Sequence, residues 1–219
     1  MQLSKETLSL IKNFSSINGS LMIKTGNKLS TISEGKNVMA EAVIEESFPQ
    51  DFAIYDLNEF MNVISLFPNT NLEFSDKYVM VSEGGDSQIK YFAAGEGIVK
   101  AAPSTIKFPS PEITFELTSA QLAMIQRVSS ALKTSDVSVV GDGSKMRVVV
   151  ADKKNDTSNA YDMVVSETDQ EFKANFKIEN IKVMPGDYEV AISKKKISRF
   201  KNKNCELTYF IAVESDSTF

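Results

Sequence analysis

Residue types that carry out covalent catalysis or hold metals are scarce in this chain. Its 219 residues include no histidine and only one cysteine, Cys205. Mechanisms that pair a nucleophile with histidine are therefore excluded, and a zinc site is nearly so. The glycine-rich stretch 141–145 spaces its glycines and lysine differently from a phosphate-binding loop, so we interpret it as a turn between two strands. We expect no enzymatic activity and no cofactor.

The chemistry that the sequence does offer is a set of scattered cations on two predicted helix faces. Lys5 and Lys12 lie on the polar face of a helix predicted over 4–17, and Arg127 lies on the polar face of a second helix. Serine, asparagine and glutamine surround these cations, and only Glu6 adds an acid. Such a surface can touch phosphate groups without binding them tightly. The alternative is an ordinary solvated helix face.

The overall composition limits where the protein works. The net charge is −5, which argues against nucleic-acid binding unless the charges are segregated. The chain has neither an apolar run of transmembrane length nor a signal-peptide pattern at its start, so we expect no membrane partner. A single cysteine cannot form an intrachain disulfide, which favours the reducing cytoplasm. The alternating run 205–210 predicts a strand with a buried Cys205 thiol.

The two predicted helices begin with the same signals. Ser4 and Thr118 are suitable N-cap residues, and Gln121 completes a capping box with Thr118. Leu3 and Leu117, just before the caps, can pack on the first apolar residue inside each helix. The predicted buried sides are Leu8, Leu10, Ile11, Phe14 and Ile17 in the first helix and Leu122, Met124, Ile125 and Val128 in the second.

This helix start belongs to a repeat that runs through the whole chain. The pattern Leu-Ser/Thr-x-x-x-Leu-x-x-Ile occurs from Leu3 and again from Leu117, 114 positions later. Further matches follow in the same order with small length changes. The matched segments are 26–29 with 143–146, 52–54 with 176–178, and 89–92 with 207–210. A period this long indicates two copies of a whole domain.

Short alternating runs separated by turn residues predict strands after each helix. The predicted strands are 21–23, 28–32, 38–44, 71–74, 78–82 and 88–93 in the first copy, and 137–140, 145–150, 161–165, 188–192, 198–201 and 206–213 in the second. Each copy is therefore predicted to be rich in antiparallel strands, with few helices.

A further helix is predicted inside the first copy. It begins at Asp56, with Tyr55 packed on Phe60. The second copy keeps only about one turn of this helix, over 179–184. The cations left near that turn are Lys177 and Lys182.

A proline-rich segment joins the two copies. Residues 102–112 contain three prolines, which forbid a helix or a central strand and make an extended, semi-rigid connector. Ile106 and Phe108 are unusually apolar for a linker. They either contribute to a binding groove or pin the linker to its own domain. The predicted organisation is domain 1 over 1–101, the connector over 102–112 and domain 2 over 113–219.

The second copy also carries a basic cluster. The lysines 194–196 are followed by Arg199, Lys201 and Lys203. Exposed lysines are common at strand edges, so we interpret this cluster as a solvated hairpin.

Four stretches of the chain resemble a known family, the DNA sliding clamps of tailed phages, which are processivity factors of DNA polymerases. These stretches are 3–14, 53–58, 184–188 and 212–218. The resemblance covers the whole chain. It implies an α+β fold of two tandem DNA-clamp domains, with antiparallel sheets outside and helices inside a homotrimeric ring. Such a ring encircles duplex DNA and tethers the replicative polymerase during viral DNA replication.

The resemblance also implies where partners bind. The helix faces and their neighbours would contact DNA through Lys5, Lys12, Asn13, Gln126, Arg127, Lys133 and Lys182. A groove for a DNA polymerase C-terminal peptide would be formed by Ile106, Phe108, Pro109, Ile211, Val213 and Phe219. Edge strands 88–93 and 161–166 would pair between subunits, and an ATP-dependent clamp loader would open the ring.

A different class of function also fits tandem repeats and an acidic composition. A β-rich phage structural or assembly protein that forms no ring would share both features. It would show no retention on DNA and no effect on a polymerase, whereas a clamp would show both. An enzyme is the least supported alternative, because no catalytic set of residues stands out.

Overall fold

The chain forms two units, Met1–Thr105 and Ile106–Phe219, in a computed structural model that describes residues 1–84, 87–95, 97–103, 106–155 and 157–219. Antiparallel strands dominate both units, and helices are few, as an α+β fold predicts. Within the described ranges, none of the helices is long and apolar enough to cross a membrane.

The first unit contains two helices and seven strands among its described residues. In chain order they are α1 Lys5–Ile17, β1 Leu21–Ile23, β2 Gly26–Ile32, β3 Val38–Phe48, β4 Phe52–Ile54, α2 Leu57–Ser65, β5 Asn71–Ser75, β6 Tyr78–Ser82 and β7 Gln88–Phe92. Strand β1 pairs with β4, and β2 pairs with β3. Strands β5, β6 and β7 form a three-stranded sheet in that order.

The second unit repeats this plan with one more strand at its start. Its elements are β8 Ile113–Leu117, α3 Ser119–Leu132, β9 Asp136–Asp142, β10 Lys145–Val150, β11 Tyr161–Glu167, β12 Glu171–Lys177, a 3-10 helix at Ile178–Asn180, β13 Tyr188–Ser193, β14 Ile197–Asn202 and β15 Leu207–Ala212. One sheet has the order β11-β10-β9-β12. In the other, β13 lies between β8 and β14, and β14 pairs with β15.

Equivalent strands pair in the same way in the two units, as the sequence repeat predicts. The pair β1–β4 corresponds to β9–β12, and β5-β6-β7 corresponds to β13-β14-β15. Strand β8 has only a short counterpart in the first unit, where Met1 exchanges backbone hydrogen bonds with Leu72 of β5. The glycine-rich stretch forms the predicted turn, because Gly143 has a φ of 80° between β9 and β10.

Helix starts were predicted well, and helix faces less so. The Ser4 side chain accepts a hydrogen bond from the Thr7 amide, and Thr118 forms the predicted capping box with Gln121. Two details are wrong. Tyr55 is 69% exposed rather than packed on Phe60, and Met124 is 37% exposed. Ser129 is buried on the α3 side instead, because its hydroxyl donates to the Thr134 carbonyl.

Two other differences concern strands and the cysteine. Strands β4, β8 and β12 were not predicted as strands. Cys205 is exposed and precedes β15, so the prediction of a buried thiol was wrong. The Asn202 side chain accepts from the amides of Asn204 and Cys205, which turns the chain here and delays the strand until Leu207.

Gly141 tests how tightly the second unit is packed. A Cβ atom at this position would lie 2.5 Å from the Gln170 carbonyl oxygen and 2.5 Å from the Phe172 ring. Because the carbonyl belongs to the backbone, it cannot move aside cheaply. We expect Gly141→Ala to lower the free energy of unfolding by about 2 kcal/mol, measured by urea denaturation.

Gly19→Ala is the matched control, because nothing lies within 4 Å of the position that its methyl group would take. We expect its free energy of unfolding to change little. Equal effects of the two substitutions would contradict the packing argument.

Candidate DNA and partner interfaces

The first candidate DNA surface is the polar side of α1. The opposite side buries Leu10, Ile11, Phe14 and Ile17 in the first unit. Lys5 and Lys12 are exposed, and Asn13 between them and the core is half-buried. Seven residues are about two helical turns, so the two lysines project from the same side of α1. The structure thus brings these three predicted residues onto one helix.

A carboxylate in β3 fixes the start of α1. Glu46 accepts hydrogen bonds from the Ser4 amide and, at 2.6 Å, from the Thr7 hydroxyl. Partial burial opposes ionisation of Glu46, but these hydrogen bonds outweigh it and hold the pKa of the carboxyl below its usual value of 4.5. A negative charge at this position also suits the positive end of the helix dipole. Glu46 therefore positions the helix that carries Lys5 and Lys12.

The second candidate DNA surface is on α3. Gln126 and Arg127 are exposed, whereas Leu122 and Ile125 are buried. Asp187 accepts a 2.7 Å hydrogen bond from the Ser119 amide at the start of this helix. Thus a carboxylate from a distant part of the sequence holds the N-terminus of α3, as Glu46 does for α1. Lys133 is exposed at the other end, where it caps the helix with a φ of 53°.

The shortened helix of the second unit contributes less charge than its sequence suggests. The Lys177 ammonium donates to buried Asp136 at 2.6 Å, and this hydrogen bond raises the pKa of Lys177 despite some desolvation. That contact holds the Lys177 charge against its own unit. Lys182 is half-buried just beyond the 3-10 helix. In the first unit, α2 adds no cation, because its sequence LNEFMNVIS contains neither lysine nor arginine.

The basic cluster of the second unit is balanced by acids. The ion pairs are Arg199–Glu189 and Lys203–Glu116 at 2.7 Å and Lys194–Glu112 at 3.8 Å. All three pairs lie on or beside the β8-β13-β14-β15 sheet. The cluster is therefore a mixed-charge surface, in agreement with its interpretation as a solvated hairpin.

The connector packs on the second unit through Phe108. Its ring centroid lies 6.1 Å from that of Phe210 in β15, and the Arg199 guanidinium carbon lies 5.1 Å from the Phe108 centroid. Ile106 and Pro109 are half-buried. Residues 104 and 105 of the predicted connector lie outside the described part of the chain.

Two of the predicted groove residues do not form a surface. Ile211 is completely buried, and Val213 is 5% exposed. Both belong to the core. Strand β15 turns Tyr209 and Ile211 to its inner face and Phe210 to the opposite one, and Val213 follows directly after the strand. We therefore expect Ile211 and Val213 to support a peptide groove from beneath rather than to line its open surface. Phe219 is 42% exposed, with the Lys196 ammonium 5.0 Å from its ring centroid.

The segments that follow β7 and β15 close equivalent sheet edges. The Ala94 amide donates to the Ala53 carbonyl of β4, and the Glu214 amide donates to the Asn175 carbonyl of β12. Farther on, Thr218 and Lys173 exchange both backbone hydrogen bonds. Strand β7 ends the β5-β6-β7 sheet, and strand β11 ends the β11-β10-β9-β12 sheet. These two strands contain the edges predicted to pair between subunits.

Two family models match successive parts of the chain. The DNA polymerase processivity factor family matches residues 4–107, and the C-terminal domain of the gp45 sliding clamp matches residues 114–215. The sliding clamp of Vibrio phage KVP40 is 32% identical over 98% of this chain and 100% of its own length. The chain belongs to the phage sliding-clamp family. The sliding clamp of Enterobacteria phage T4 is also 32% identical, over 100% of this chain and 99% of its own.

Solved structures extend the likeness of fold beyond phage proteins. Proliferating cellular nuclear antigen from Entamoeba histolytica superposes with a TM-score of 0.69 at 15% identity, covering 95% of this chain and 94% of its own. A. fulgidus PCNA, solved with the C-terminal region of FEN-1 bound, gives a TM-score of 0.70 at 11% identity and covers 95% of each chain. The predicted DNA-clamp fold is thereby confirmed.

Several residues that matter for the clamp surfaces were missed in the sequence. Glu46 and Asp187 hold helix starts from 42 and 68 positions away, so no local pattern reveals them. Arg199 stood out only as one member of a basic cluster. Its alternation with Ser198 and Phe200, which are buried, could have placed it on the face of β14 away from the core.

Glu46 makes the start of α1 sensitive to acid. Because its folded-state pKa is depressed, the stabilisation it provides is present above the unfolded-state value of 4.5 and is lost as the pH falls through the folded-state value. We expect Glu46→Gln to lower the melting temperature at neutral pH. As the pH falls below 4.5 and the carboxyl becomes protonated, the difference from the unsubstituted protein should shrink.

Glu45→Gln is the control, because the neighbouring Glu45 side chain is more exposed and holds no helix start. Melting curves of all three proteins from neutral to acid pH are the measurement. A Glu46→Gln deficit that stays constant across this range would contradict the assigned role of the carboxylate.

Proposed function

We infer that this chain is a sliding clamp, which encircles duplex DNA and tethers a replicative DNA polymerase during viral DNA replication. The observation that carries this conclusion is the full-length match to phage sliding clamps together with two clamp-fold units in one chain. Family membership favours this function over that of a ring-free phage structural or assembly protein. The clamp family acts by encirclement rather than catalysis, and we propose no enzymatic activity or cofactor for this chain.

The proposed assembly is a homotrimer of six clamp units. Strands β7 and β11 end their sheets on different units, so a head-to-tail contact between them would leave the same two edges free for the next subunits. A heterologous contact of this kind closes into a ring when its rotation fits. The half-buried sides of both strands carry apolar or aromatic residues that could continue a core across the contact. They are Ile89 and Tyr91 in β7 and Tyr161, Met163 and Val165 in β11.

The proposed DNA contacts are sparse. Lys5 and Lys12 on α1 and Arg127 on α3 would face phosphate, with Asn13 and Gln126 adding polar contacts. Lys133 and Lys182 would lie at the margins of this surface. Encirclement supplies retention, so a few non-specific phosphate contacts are enough and the clamp can still slide. An acidic chain is compatible with this arrangement if its acids face away from DNA.

The proposed partners follow from the same function. A DNA polymerase C-terminal peptide would bind at the connector, around Ile106, Phe108 and Pro109. Phe219 would lie at the margin of that site. An ATP-dependent clamp loader would open the ring, and the host cytoplasm would be the site of action. The bound FEN-1 segment on A. fulgidus PCNA is a precedent for a C-terminal partner region on this fold.

The DNA surface is tested by charge reversal. We expect Lys12→Glu together with Arg127→Glu to shorten retention of the clamp on nicked circular DNA by about tenfold, because each subunit loses two phosphate contacts. Folding should be unaffected, since both side chains are exposed. Single-molecule residence time at moderate salt is the measurement.

Lys154→Glu together with Lys195→Glu is the matched control, because it changes the net charge by the same amount. Both side chains are exposed in turns, between β10 and β11 and between β13 and β14, and neither belongs to α1 or α3. Residence times that fall equally in the control and in the helix variant would show that net charge, not the helix faces, governs retention.

The subunit contact is tested at one backbone amide. The Ala93 amide donates to the Lys77 carbonyl, so in the antiparallel pairing the Lys90 N–H and C=O point away from β6. Lys90→Pro removes that outward donor without breaking the β6–β7 hydrogen bonds. We expect it to reduce the trimer in favour of smaller species while the first unit stays folded.

Lys90→Ala keeps the amide and serves as the control. Light scattering should give about three times 24.2 kDa for the unsubstituted protein and for Lys90→Ala. A chain that stays monomeric at tens of micromolar, or an undisturbed Lys90→Pro trimer, would contradict the proposed contact.

A further inference from the structure

The connector seats one of its own aromatic side chains on the second unit. Phe210, Arg199 and Ala191 are direct cross-strand partners, so they form one row across β15, β14 and β13. The Phe108 ring lies over this row, in contact with Phe210 and with the Arg199 guanidinium. Ala191 is completely buried although it lies on the face away from the core. The connector therefore covers this row of side chains.

The surface beside this row is also apolar. Ile197 and Ala212 are paired across β14 and β15 two positions from Arg199 and Phe210, so their side chains share the same face. Both are half-buried. Together with Phe210 and Ala191 they form a shelf, which we call the Phe210 shelf. It is wide enough to take an aromatic ring, because Phe108 already lies on it.

At the Phe210 shelf, the Arg199 guanidinium group has a hydrogen-bond donor without an acceptor. Its Nη2 atom donates to Glu189 at 2.7 Å. Its Nε atom is buried, and no described residue accepts its hydrogen bond. A buried donor without an acceptor is unfavourable, and an arginine fork is best satisfied by a carboxylate that receives two parallel hydrogen bonds. The shelf thus combines an aromatic site with an unfilled place for an acid.

We propose that Phe108 is a plug that occupies the binding site of a partner peptide. The peptide displaces Phe108, places an aromatic side chain against Phe210, and presents a carboxylate to the Nε atom of Arg199. This inference rests on the proposed function and specifies the chemistry of the polymerase peptide and its regulation. Phe108 then holds the connector to its own unit only until a partner replaces it.

A plug lowers the apparent affinity of the partner by the fraction of time that the site is open. Removing the plug should therefore strengthen binding, whereas removing a wall of the groove would weaken it. The direction of the change distinguishes the two roles of Phe108. We expect Phe108→Ala to bind about tenfold more tightly, a size typical of losing one aromatic pair and one cation–π contact.

The probe is a synthetic peptide of about twelve residues, roughly the length that spans one such groove, from the C-terminus of the replicative polymerase that works with this clamp. Its binding is followed by fluorescence anisotropy.

Lys107→Ala is the matched control, because Lys107 is the exposed neighbour of Phe108. Arg199→Gln supplies the second arm. Arg199→Gln should weaken binding of the peptide. It should also bind the peptide no better than a second peptide in which the acidic residue is replaced by the corresponding amide. Melting temperature and mass confirm that each variant is folded and assembled.

The outcomes separate the plug from the proposed function. Weaker or unchanged binding by Phe108→Ala overturns the plug, and so does an aromatic-free peptide that binds equally well. If no variant binds the peptide but the clamp still extends DNA synthesis by the polymerase, the plug is wrong and the proposed function stands. If neither peptide binding nor processivity is observed, both are overturned.

Discussion

Unpaired backbone groups at sheet edges are the constraint on which the rest of this structure depends. Each unit is built mainly from antiparallel strands, and every sheet exposes amides and carbonyls at its ends. The chain closes one edge in each unit with the segment that follows the unit's last strand. Ala94 does so at β4, and Glu214 and Thr218 do so at β12. Strands β7 and β11 are left at the ends of their sheets, and these are the edges that a head-to-tail ring would use.

Positively charged side chains are arranged differently on the helices and on the rest of the protein. Several cations outside the helices are paired with nearby acids, as Arg199 and Lys203 are, and Lys177 is held by a buried carboxylate. The cations of α1 and α3 are exposed on polar helix faces instead. Each of these two helices therefore carries exposed positive charge in a protein whose net charge is −5. If these cations face DNA as proposed, their small number would suit a clamp, because strong phosphate binding would oppose sliding.

The sequence was sufficient to predict the tandem repeat, the helix starts and most strands, since these depend on local patterns. Ser4, Thr118 and Gln121 are capping residues whose hydrogen bonds span only a few positions. Contacts between distant segments were not predictable in the same way. Strand β4 forms by pairing with β1, which is distant in the sequence, and the burial of Ile211 depends on which face of β15 meets the core.

Cys205 gives the protein a property that follows from its position on the loop before β15. It is the only thiol in the chain, and it is exposed. Partial desolvation raises the pKa of this thiol, so a maleimide reacts with it more slowly at neutral pH than with an ordinary cysteine, but still selectively over the lysine amines. A fluorophore attached here would mark every subunit once without any substitution. Counting photobleaching steps on single DNA molecules would then reveal how many subunits travel together.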